Sequence, residues 1–335
     1  MSLRWTCFAG LACALLPVGA VAAEPRVDTA SIWTFQDEND VAVRTDRFYT
    51  NGTRFGWTSP NTDAVPDFLA GLGHFVWGED KGTRQRLSFD LSQLLFTPVD
   101  TQINPPNPFD RPYAGVLLGT LALTQDTDTT RSTLGLSLGV IGQAAGGKFV
   151  QNTFHSFIRA PGSKGWGYQV HNEPLGELMA ERIWRVPLTG TGAAGGLQTD
   201  MLPSLTAAAG NWRIYAQTGV QFRVGQDLDA DFGAPRIRPG LSGGDAYTAA
   251  RPFSWYLFAG VDGQAVAYDI TLDGNNFGNS AHVSREPWVG EVQAGLVVMA
   301  WGARLSLTHV LQSPEFHHQK RGYFQFDSLA LSVKF

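Results

Sequence analysis

The chain has 335 residues, of which 43% are hydrophobic and 38 are glycine, and its formal net charge is −5. A mildly acidic chain without a run of Lys and Arg lacks the electrostatic footprint of a nucleic-acid-binding protein, so nucleic acid is not an expected partner. Both cysteines, Cys7 and Cys13, lie within the first 23 residues. The rest of the chain therefore has neither a disulfide nor a thiolate metal site.

The N-terminal residues have the order of a secretory signal peptide. Arg4 gives a positive charge, an uncharged apolar stretch follows it, and small residues come directly before Glu24. This order is typical of a cleaved signal and not of a membrane anchor, which predicts a signal peptide at residues 1–23 and one mature domain at residues 24–335. A lipoprotein cysteine at Cys13 is the alternative, but an apolar run still follows Cys13 and the small residues come later.

No apolar run beyond the signal peptide approaches the roughly 18 residues that a transmembrane helix needs. The longest run, residues 114–124, is too short and contains two glycines. A secreted chain that is rich in glycine and aromatic residues but lacks a helical span leaves two fold classes, a soluble β-protein and an outer-membrane β-barrel.

The alternation of side chains along the predicted strands favours the barrel. Large apolar residues alternate with small or polar ones through residues 132–141, as they do between lipid and lumen in a barrel strand of about 9–11 residues. The apolar face of this segment holds Leu134, Leu136, Leu138 and Val140. A soluble sandwich would carry more Lys and Glu on one face, whereas here that face holds Gly, Ser and Thr. The last strand ends at Phe335, a C-terminus that resembles the signal read by the barrel-assembly machinery.

Twelve segments have this pattern, so the sequence predicts an all-β fold, a twelve-stranded antiparallel transmembrane β-barrel of the Gram-negative outer membrane. They lie at residues 30–39, 49–58, 84–95, 113–125, 131–142, 176–187, 199–209, 211–224, 253–266, 288–300, 303–312 and 323–335. An even number of strands puts both termini on the periplasmic side. The connections at residues 59–83 and 225–252 are then long for periplasmic turns, and a short helix is expected near residues 68–76.

This topology gathers polar residues at the outer rim of the barrel. If the first strand rises from the periplasm, its end near Asp40 lies at that rim, together with the start of the second strand at Thr50. The alternation predicts that Asp40 and Thr50 face inward and meet inside the barrel mouth, while Asn39 has the opposite parity.

The long connection at residues 143–175 lies at the same rim. Within it, Gln151 and His155 are spaced i, i+4 and share one face of a helical turn. A helix that offers both side chains to the mouth would form half of a site. The alternative for His155 is a solvated loop histidine.

At these segments the chain resembles the LpxR family of outer-membrane lipid A 3′-O-deacylases, and the resemblance covers essentially the whole mature chain. Its most specific pieces are residues 38–40, 45–52, 110–115, 139–142, 150–152, His155, 165–166 and 172–174. The resemblance implies a twelve-stranded barrel that uses Ca²⁺ to remove the acyloxyacyl chain at the 3′ position of lipid A. It also implies lipopolysaccharide as the substrate, outer-membrane lipids as the surroundings and an active site that faces outward.

The same resemblance assigns the site residues. His155 resembles the general base that activates water, and Gln151 and Thr50 match further positions of the family's site. Asp40 resembles a carboxylate of the Ca²⁺ site, with Asn39 beside it. Ester hydrolysis needs a base of near-neutral pKa and a group that stabilises the developing oxyanion. A hard cation with oxygen ligands suits the second task.

The chain departs from the family's pattern at two positions, where a glutamate and a lysine of the family's site fall on Pro161 and near Ile103. These departures bear on substrate orientation and on acyl-chain choice.

Two other functions stay open. One is a Ca²⁺-dependent outer-membrane phospholipase, which would need a Ser beside His at the lumen edge. The other is a non-catalytic porin or structural barrel, which Gly and Ser lining would suit but which does not require polar motifs at one rim.

Overall fold

The structure, a computed structural model, describes residues 26–40, 47–62, 65–78, 82–189, 196–237, 244–319 and 322–335. The predicted signal peptide at residues 1–23 lies outside the described residues, as do Thr45 and Asp46 of the segment 45–52. Within the described ranges, no helix is long and apolar enough to cross a membrane.

Thirteen strands, three α-helices and three short 3₁₀ helices are present in the described part of the chain. The strands are β1 (Ile32–Asn39), β2 (Phe48–Thr58), β3 (Arg84–Thr97), β4 (Ala114–Asp126), β5 (Thr130–Ile141), β6 (Glu173–Trp184), β7 (Val186–Thr189), β8 (Gln198–Gly210), β9 (Arg213–Gly225), β10 (Phe253–Asp269), β11 (Trp288–Ala300), β12 (Ala303–Gln312) and β13 (Phe324–Lys334). The helices are α1 (Asp67–Trp77), α2 (Gly147–Phe157) and the one-turn α3 (Ile270–Asp273). The short helix expected near residues 68–76 is therefore confirmed as α1.

The strands form one closed antiparallel β-barrel with twelve wall positions, which confirms the predicted fold. Successive strands pair along the sheet, and β1 pairs with β13 from Ile32 against Lys334 to Asn39 against Asp327. β6 and β7 occupy one wall position, because both pair with β8 and only Arg185 separates them.

The two faces of the wall differ as the alternation predicts. Leu138 and Leu331 are 59% and 44% exposed on the outer face. Their neighbours Ser137 and Ser332 are buried in the lumen. The outer face is thus the apolar belt that contacts lipid.

The long connection between β9 and β10 folds back into the lumen. Its Asp231 forms ion pairs with Arg223 at 2.7 Å and with Arg304 at 3.2 Å, and its Asp245 pairs with Arg54 at 2.6 Å. All five side chains are almost fully buried. Because buried charges are unfavourable unless they are paired, the inward-facing arginines require the acidic residues that this connection brings.

This connection also reaches the end of the lumen at which β1 stops. The carbonyl oxygen of Pro235 accepts a hydrogen bond of 3.1 Å from Gln36 Nε2, and the backbone N–H of Ile237 donates to Glu38 at 2.8 Å. Arg236 pairs with Glu38 at 3.4 Å. The lumen therefore holds folded chain and ion pairs, instead of the open row of Gly and Ser that would line a pore.

Candidate active site

A cavity of about 530 Å³ lies against the outer side of the barrel wall, between strands β1–β3 and helix α2. Asp37 and Asn39 line it, and along β1 they alternate with Gln36 and Glu38, which are buried in the lumen. The cavity is therefore on the lipid side of the wall. It is lined by Asp37, Asn39, Thr50, Asn51, Thr53, Leu95, Thr101, Gln102, Val150, Gln151, Phe154, His155, Ile158, Ala160 and Pro161.

Helix α2 packs closely on the wall because of two glycines. A Cβ atom on Gly147 would lie 2.7 Å from the Trp166 ring, and one on Gly115 of β4 would lie 3.2 Å from the Cα atom of Gly147. The buried residues of α2 are Gly147, Gln151 and His155, which are spaced by about one helical turn. The helix thus turns the predicted Gln–His face towards the wall and the cavity.

Gln151 is oriented by a tryptophan of the same connection. Its Oε1 atom accepts a hydrogen bond of 2.7 Å from Trp166 Nε1, and Trp166 packs against Tyr113 with ring centroids 5.0 Å apart. An indole N–H is only a donor, so this bond fixes which end of the amide is oxygen. The other end of the side chain is the NH₂ group, and Gln151 can serve the cavity as a hydrogen-bond donor.

His155 has its tautomer set by a backbone carbonyl. Its Nδ1 atom lies 2.7 Å from the carbonyl oxygen of Pro161, and the residue is 7% exposed. A carbonyl oxygen only accepts, so Nδ1 carries the proton and, in the neutral ring, Nε2 carries the lone pair. A general base requires such a lone pair. Pro161, where the resemblance implies a departure from the family's pattern, supplies the acceptor through its main chain.

The prediction that Thr50 faces the lumen beside Asp40 is wrong. The register between β2 and β3 shifts between Tyr49 and Asn51, which leaves Thr50 as the extra residue of a β-bulge. Tyr49 therefore points into the lumen, where its hydroxyl donates to Glu38 at 2.9 Å. Thr50 lines the cavity on the outer side.

Asn39 and Asp40, the two residues expected at the metal, have different surroundings. Asn39 lines the cavity. Asp40 is fully buried at the end of β1, where it accepts a hydrogen bond of 2.9 Å from the backbone N–H of Arg47. The structure thus brings four of the five predicted site residues to one cavity and leaves Asp40 outside the lining, next to Asn39 in the chain.

Asp37 is a cavity residue that the sequence patterns do not predict. Asn51 Nδ2 and Thr53 Oγ1 both donate to its Oδ2 atom at 3.0 Å, and no described residue donates to Oδ1. Its outward parity assigns Asp37 to the lipid face, where the alternation of side chains predicts no functional group. A carboxylate on the lipid face is unfavourable unless polar groups surround it. That conflict is the signal by which Asp37 could have been found.

The cavity offers oxygen donors of the kind that a hard cation takes. Asp37, Asn39, Thr50 and Asn51 supply carboxylate, amide and hydroxyl oxygens, and Ca²⁺ binds about six to eight oxygens of such groups, of carbonyls and of water. Among the described residues, no three or more His, Cys, Asp or Glu side chains are grouped to hold a metal ion. The oxygen atoms of the cavity are of the types that Ca²⁺ binds, with amide, hydroxyl and main-chain oxygens as most of the ligands.

The loop that contains Thr101 and Gln102 forms another part of the cavity wall. Thr101 and Gln102 line the cavity, while Ile103 is exposed and outside the lining. Gln102 Nε2 donates to the carbonyl oxygen of Gly162 at 3.1 Å. The backbone N–H of Lys164 donates to the carbonyl oxygen of Thr101 at 2.9 Å. The loops at residues 101–102 and 162–164 are thus hydrogen-bonded to each other beside His155.

Comparison with known proteins agrees with the fold. The family model described as outer membrane protein LpxR matches residues 7–335. No curated protein matches the chain. Among solved structures, the chain is similar to LpxR from Salmonella typhimurium, with a TM-score of 0.71 and 21% identity over 91% of this chain and 100% of that chain. It is also similar to the β-domain of the Bordetella autotransporter Brka, with a TM-score of 0.42 and 9% identity over 91% of this chain and 97% of that one.

Proposed function

This chain belongs to the family of outer membrane protein LpxR, and from this premise we propose that it hydrolyses the ester of the 3′-linked acyloxyacyl chain of lipid A. The observation that carries the proposal is the contact between His155 Nδ1 and the Pro161 carbonyl. It makes Nε2 the basic nitrogen at a cavity on the lipid side of an outer-membrane barrel.

In the proposed reaction His155 accepts a proton from water and then transfers it to the leaving oxygen. As Nε2 removes a proton from water, the water oxygen attacks the ester carbonyl carbon, and Nδ1–H keeps its hydrogen bond to Pro161. When the ester C–O bond breaks, Nε2–H returns the proton to the departing 3′ oxygen, which leaves a fatty acid and a 3′-hydroxyl group. Gln151, the amide donor, stabilises the negative charge that develops on the carbonyl oxygen.

Ca²⁺ is the proposed cofactor, with Asn39 and Asp40 as the residues that hold it and with Thr50 as a neighbouring hydroxyl. Asp37 joins this set because its Oδ2 atom is fixed by Asn51 and Thr53, while Oδ1 accepts nothing from the described residues. When bound, the cation supplies positive charge that stabilises the anionic transition state of ester hydrolysis.

Removal of the metal tests this part of the proposal. We expect excess chelator to abolish activity on lipid A and added Ca²⁺ to restore it. The Asp40→Ala variant should stay inactive with Ca²⁺ present, because it loses a carboxylate next to the cation. Full activity in excess chelator would reject the metal.

The position of the cavity suits a substrate that remains in the membrane. Leu95, Val150, Phe154 and Ile158 form its apolar part, a surface that favours an acyl chain. A lipid reaches an outer-wall cavity by lateral diffusion, without leaving the bilayer. If the termini are periplasmic, the cavity is at the extracellular end, in the leaflet that contains lipopolysaccharide. We infer that the site faces outward.

Mass spectrometry of lipid A from cells with and without this protein tests the proposed reaction. The expected result is a loss of mass equal to the 3′ acyloxyacyl chain, with phospholipids unchanged. The described cavity lining contains no serine, which favours water as the nucleophile over a serine esterase of the phospholipase type. Unchanged lipid A together with newly formed lysophospholipid would overturn the proposal in favour of a phospholipase.

A further inference from the structure

Helix α1 lies on the outer wall at the end of the barrel opposite the cavity. The cavity is at the Asn39 end of β1, whereas α1 connects the other ends of β2 and β3, where Thr58 pairs with Ile32. We propose that α1 is an interfacial anchor whose apolar face inserts among the acyl chains of phospholipids in the leaflet at this end. This inference concerns the membrane alone and does not rest on the proposed reaction.

Two glutamines attach α1 to the outer face of the wall. Gln85 of β3 donates to the carbonyl oxygen of Ala70 at 3.2 Å, and Gln125 of β4 donates to that of Gly78 at 2.7 Å. Gly73, the buried residue of the helix, lies so close that a Cβ atom there would be 2.7 Å from Gln85 Nε2. The side-chain amides of Gln85 and Gln125 face outward, on the lipid side of the wall. The helix supplies them with polar partners, which hydrocarbon would not.

The helix crosses the strands instead of following them. Gln85, Gln125, Ser132 and Arg182 form one row of paired residues across β3, β4, β5 and β6. The first turns of α1 contact this row at Gln85, and Trp77 at its last turn lies with its ring centroid 5.7 Å from the Arg182 guanidinium. Because barrel strands tilt by about 35–45°, a helix that crosses them lies nearer to the membrane plane than the strands do, as a helix at a membrane surface should.

The face of α1 that points away from the barrel is apolar. Phe75 and Phe68 are 88% and 75% exposed, and Leu72 and Val76 are also exposed. Their spacing of i, i+4, i+7 and i+8 puts these four side chains on one side of the helix. A helix of a protein surrounded by water would have the reverse arrangement, with its apolar side against the wall.

The neighbours of this face show that lipid covers it. Phe89 of β3 and Leu121 of β4 are large, exposed and on the outer face, only a few residues along the strands from the glutamines that hold α1. The apolar face of α1 is therefore continuous with the lipid-facing belt. Trp184 lies beside Arg182, with its ring centroid 5.9 Å from the guanidinium, and Trp with Arg is typical of the level where hydrocarbon meets headgroups.

The test uses the absence of cysteine from the predicted mature chain, which lets one introduced cysteine be labelled alone. Phe75→Cys would carry an environment-sensitive nitrobenzoxadiazole probe in barrels reconstituted into vesicles of phosphatidylethanolamine and phosphatidylglycerol. Thr129→Cys, in the exposed β4–β5 turn at the same end, is the control for water, and Phe89→Cys on the belt is the control for lipid.

We expect the probe at position 75 to be quenched by nitroxide lipids nearly as strongly as the probe at position 89. Iodide in the water should quench it several-fold less than it quenches the probe at position 129. Equal iodide quenching at 75 and 129 would overturn the proposal. Lipid-independent protection that grows with protein concentration would overturn it too, because a second copy of the chain would then cover the face.

Discussion

A neutral imidazole has one donor and one acceptor nitrogen, and in this protein a single main-chain contact decides which is which. The carbonyl of Pro161 accepts from His155 Nδ1, so the proton-accepting nitrogen is Nε2. A side-chain carboxylate at position 161 is not needed for that orientation. The departure from the family's pattern that the resemblance implies at Pro161 would therefore leave the proposed base intact.

A single substitution at Asp37 tests its part in the proposed Ca²⁺ site. The Asp37→Asn variant keeps the size of the side chain and its contact with the wall but removes the one carboxylate that the described residues bring to the cavity lining. Since the number of charged ligands tunes Ca²⁺ affinity, we expect the Ca²⁺ concentration for half-maximal activity to rise roughly tenfold or more.

Titration calorimetry of Ca²⁺ into the detergent-solubilised barrel should show the same weakening for Asp37→Asn. Asp67→Asn, an exposed carboxylate at the start of α1 and at the opposite end of the barrel, is the matched control and should leave Ca²⁺ binding unchanged. If both variants bind Ca²⁺ like the parent, Asp37 has no part in the cation site.

Among the secondary-structure elements, α2 does most to form the site, because it holds the proposed base against the wall. Its close approach depends on Gly147, which faces Trp166 and Gly115 without room for a side chain. The same packing fixes Gln151 through Trp166. The geometry of the candidate site is thus a consequence of how closely one helix lies on a strand surface.

Gly147→Ala should move α2 and lower activity while the barrel stays folded. The added methyl group would lie 2.7 Å from Trp166, and overpacking of this kind costs about 1–3 kcal/mol. We expect lipid A deacylation to fall at least roughly tenfold, with the heat-modifiable gel shift of the barrel retained. Gly167→Ala, where an added methyl group meets nothing within 4 Å, should behave like the parent. Equal activity of the two variants would contradict this role of Gly147.

The strands and helix α2 differ in how much of their arrangement can be predicted from sequence patterns. The strand alternation is local, so the wall and its lipid face at Leu138 follow from the sequence. The orientation of Thr50 does not, because its bulge is a property of the register between β2 and β3. Gln151 and His155 could be placed on one helix face from their spacing alone. The side of the wall on which that helix packs depends on Gly115 and Gly147, whose contact is not local in the sequence.

The whole molecule is stabilised from inside by a segment that the sequence identifies only as a long periplasmic connection. Arg54 pairs with Asp245, 191 residues later in the chain. No periodicity predicts such a partner, although unpaired arginines facing a lumen would be a sign that one exists.

Arg223 tests this internal network. It is fully buried and pairs with Asp200 at 2.6 Å and Asp231 at 2.7 Å, so Arg223→Met leaves two buried carboxylates without that partner. We expect a loss of about 3–5 kcal/mol in the free energy of unfolding, measured by urea titration in detergent. Arg251→Met, in the same connection and without an ion pair among the described residues, should change stability by no more than about 1 kcal/mol. A similar stability of both variants would show that the network contributes little.

The central claim is that His155 is the general base of an ester hydrolysis on the outer wall, and lipid A deacylation by His155→Asn tests it most directly. The matched control is His282→Asn, since His282 Nδ1 also lies 2.9 Å from a backbone carbonyl, that of Ser280, but outside the cavity lining. We predict that His155→Asn folds, keeps its heat-modifiable gel shift and loses roughly 10²–10⁴-fold in activity, while His282→Asn stays within a few-fold of the parent. A folded His155→Asn barrel with near-normal deacylation would contradict the account.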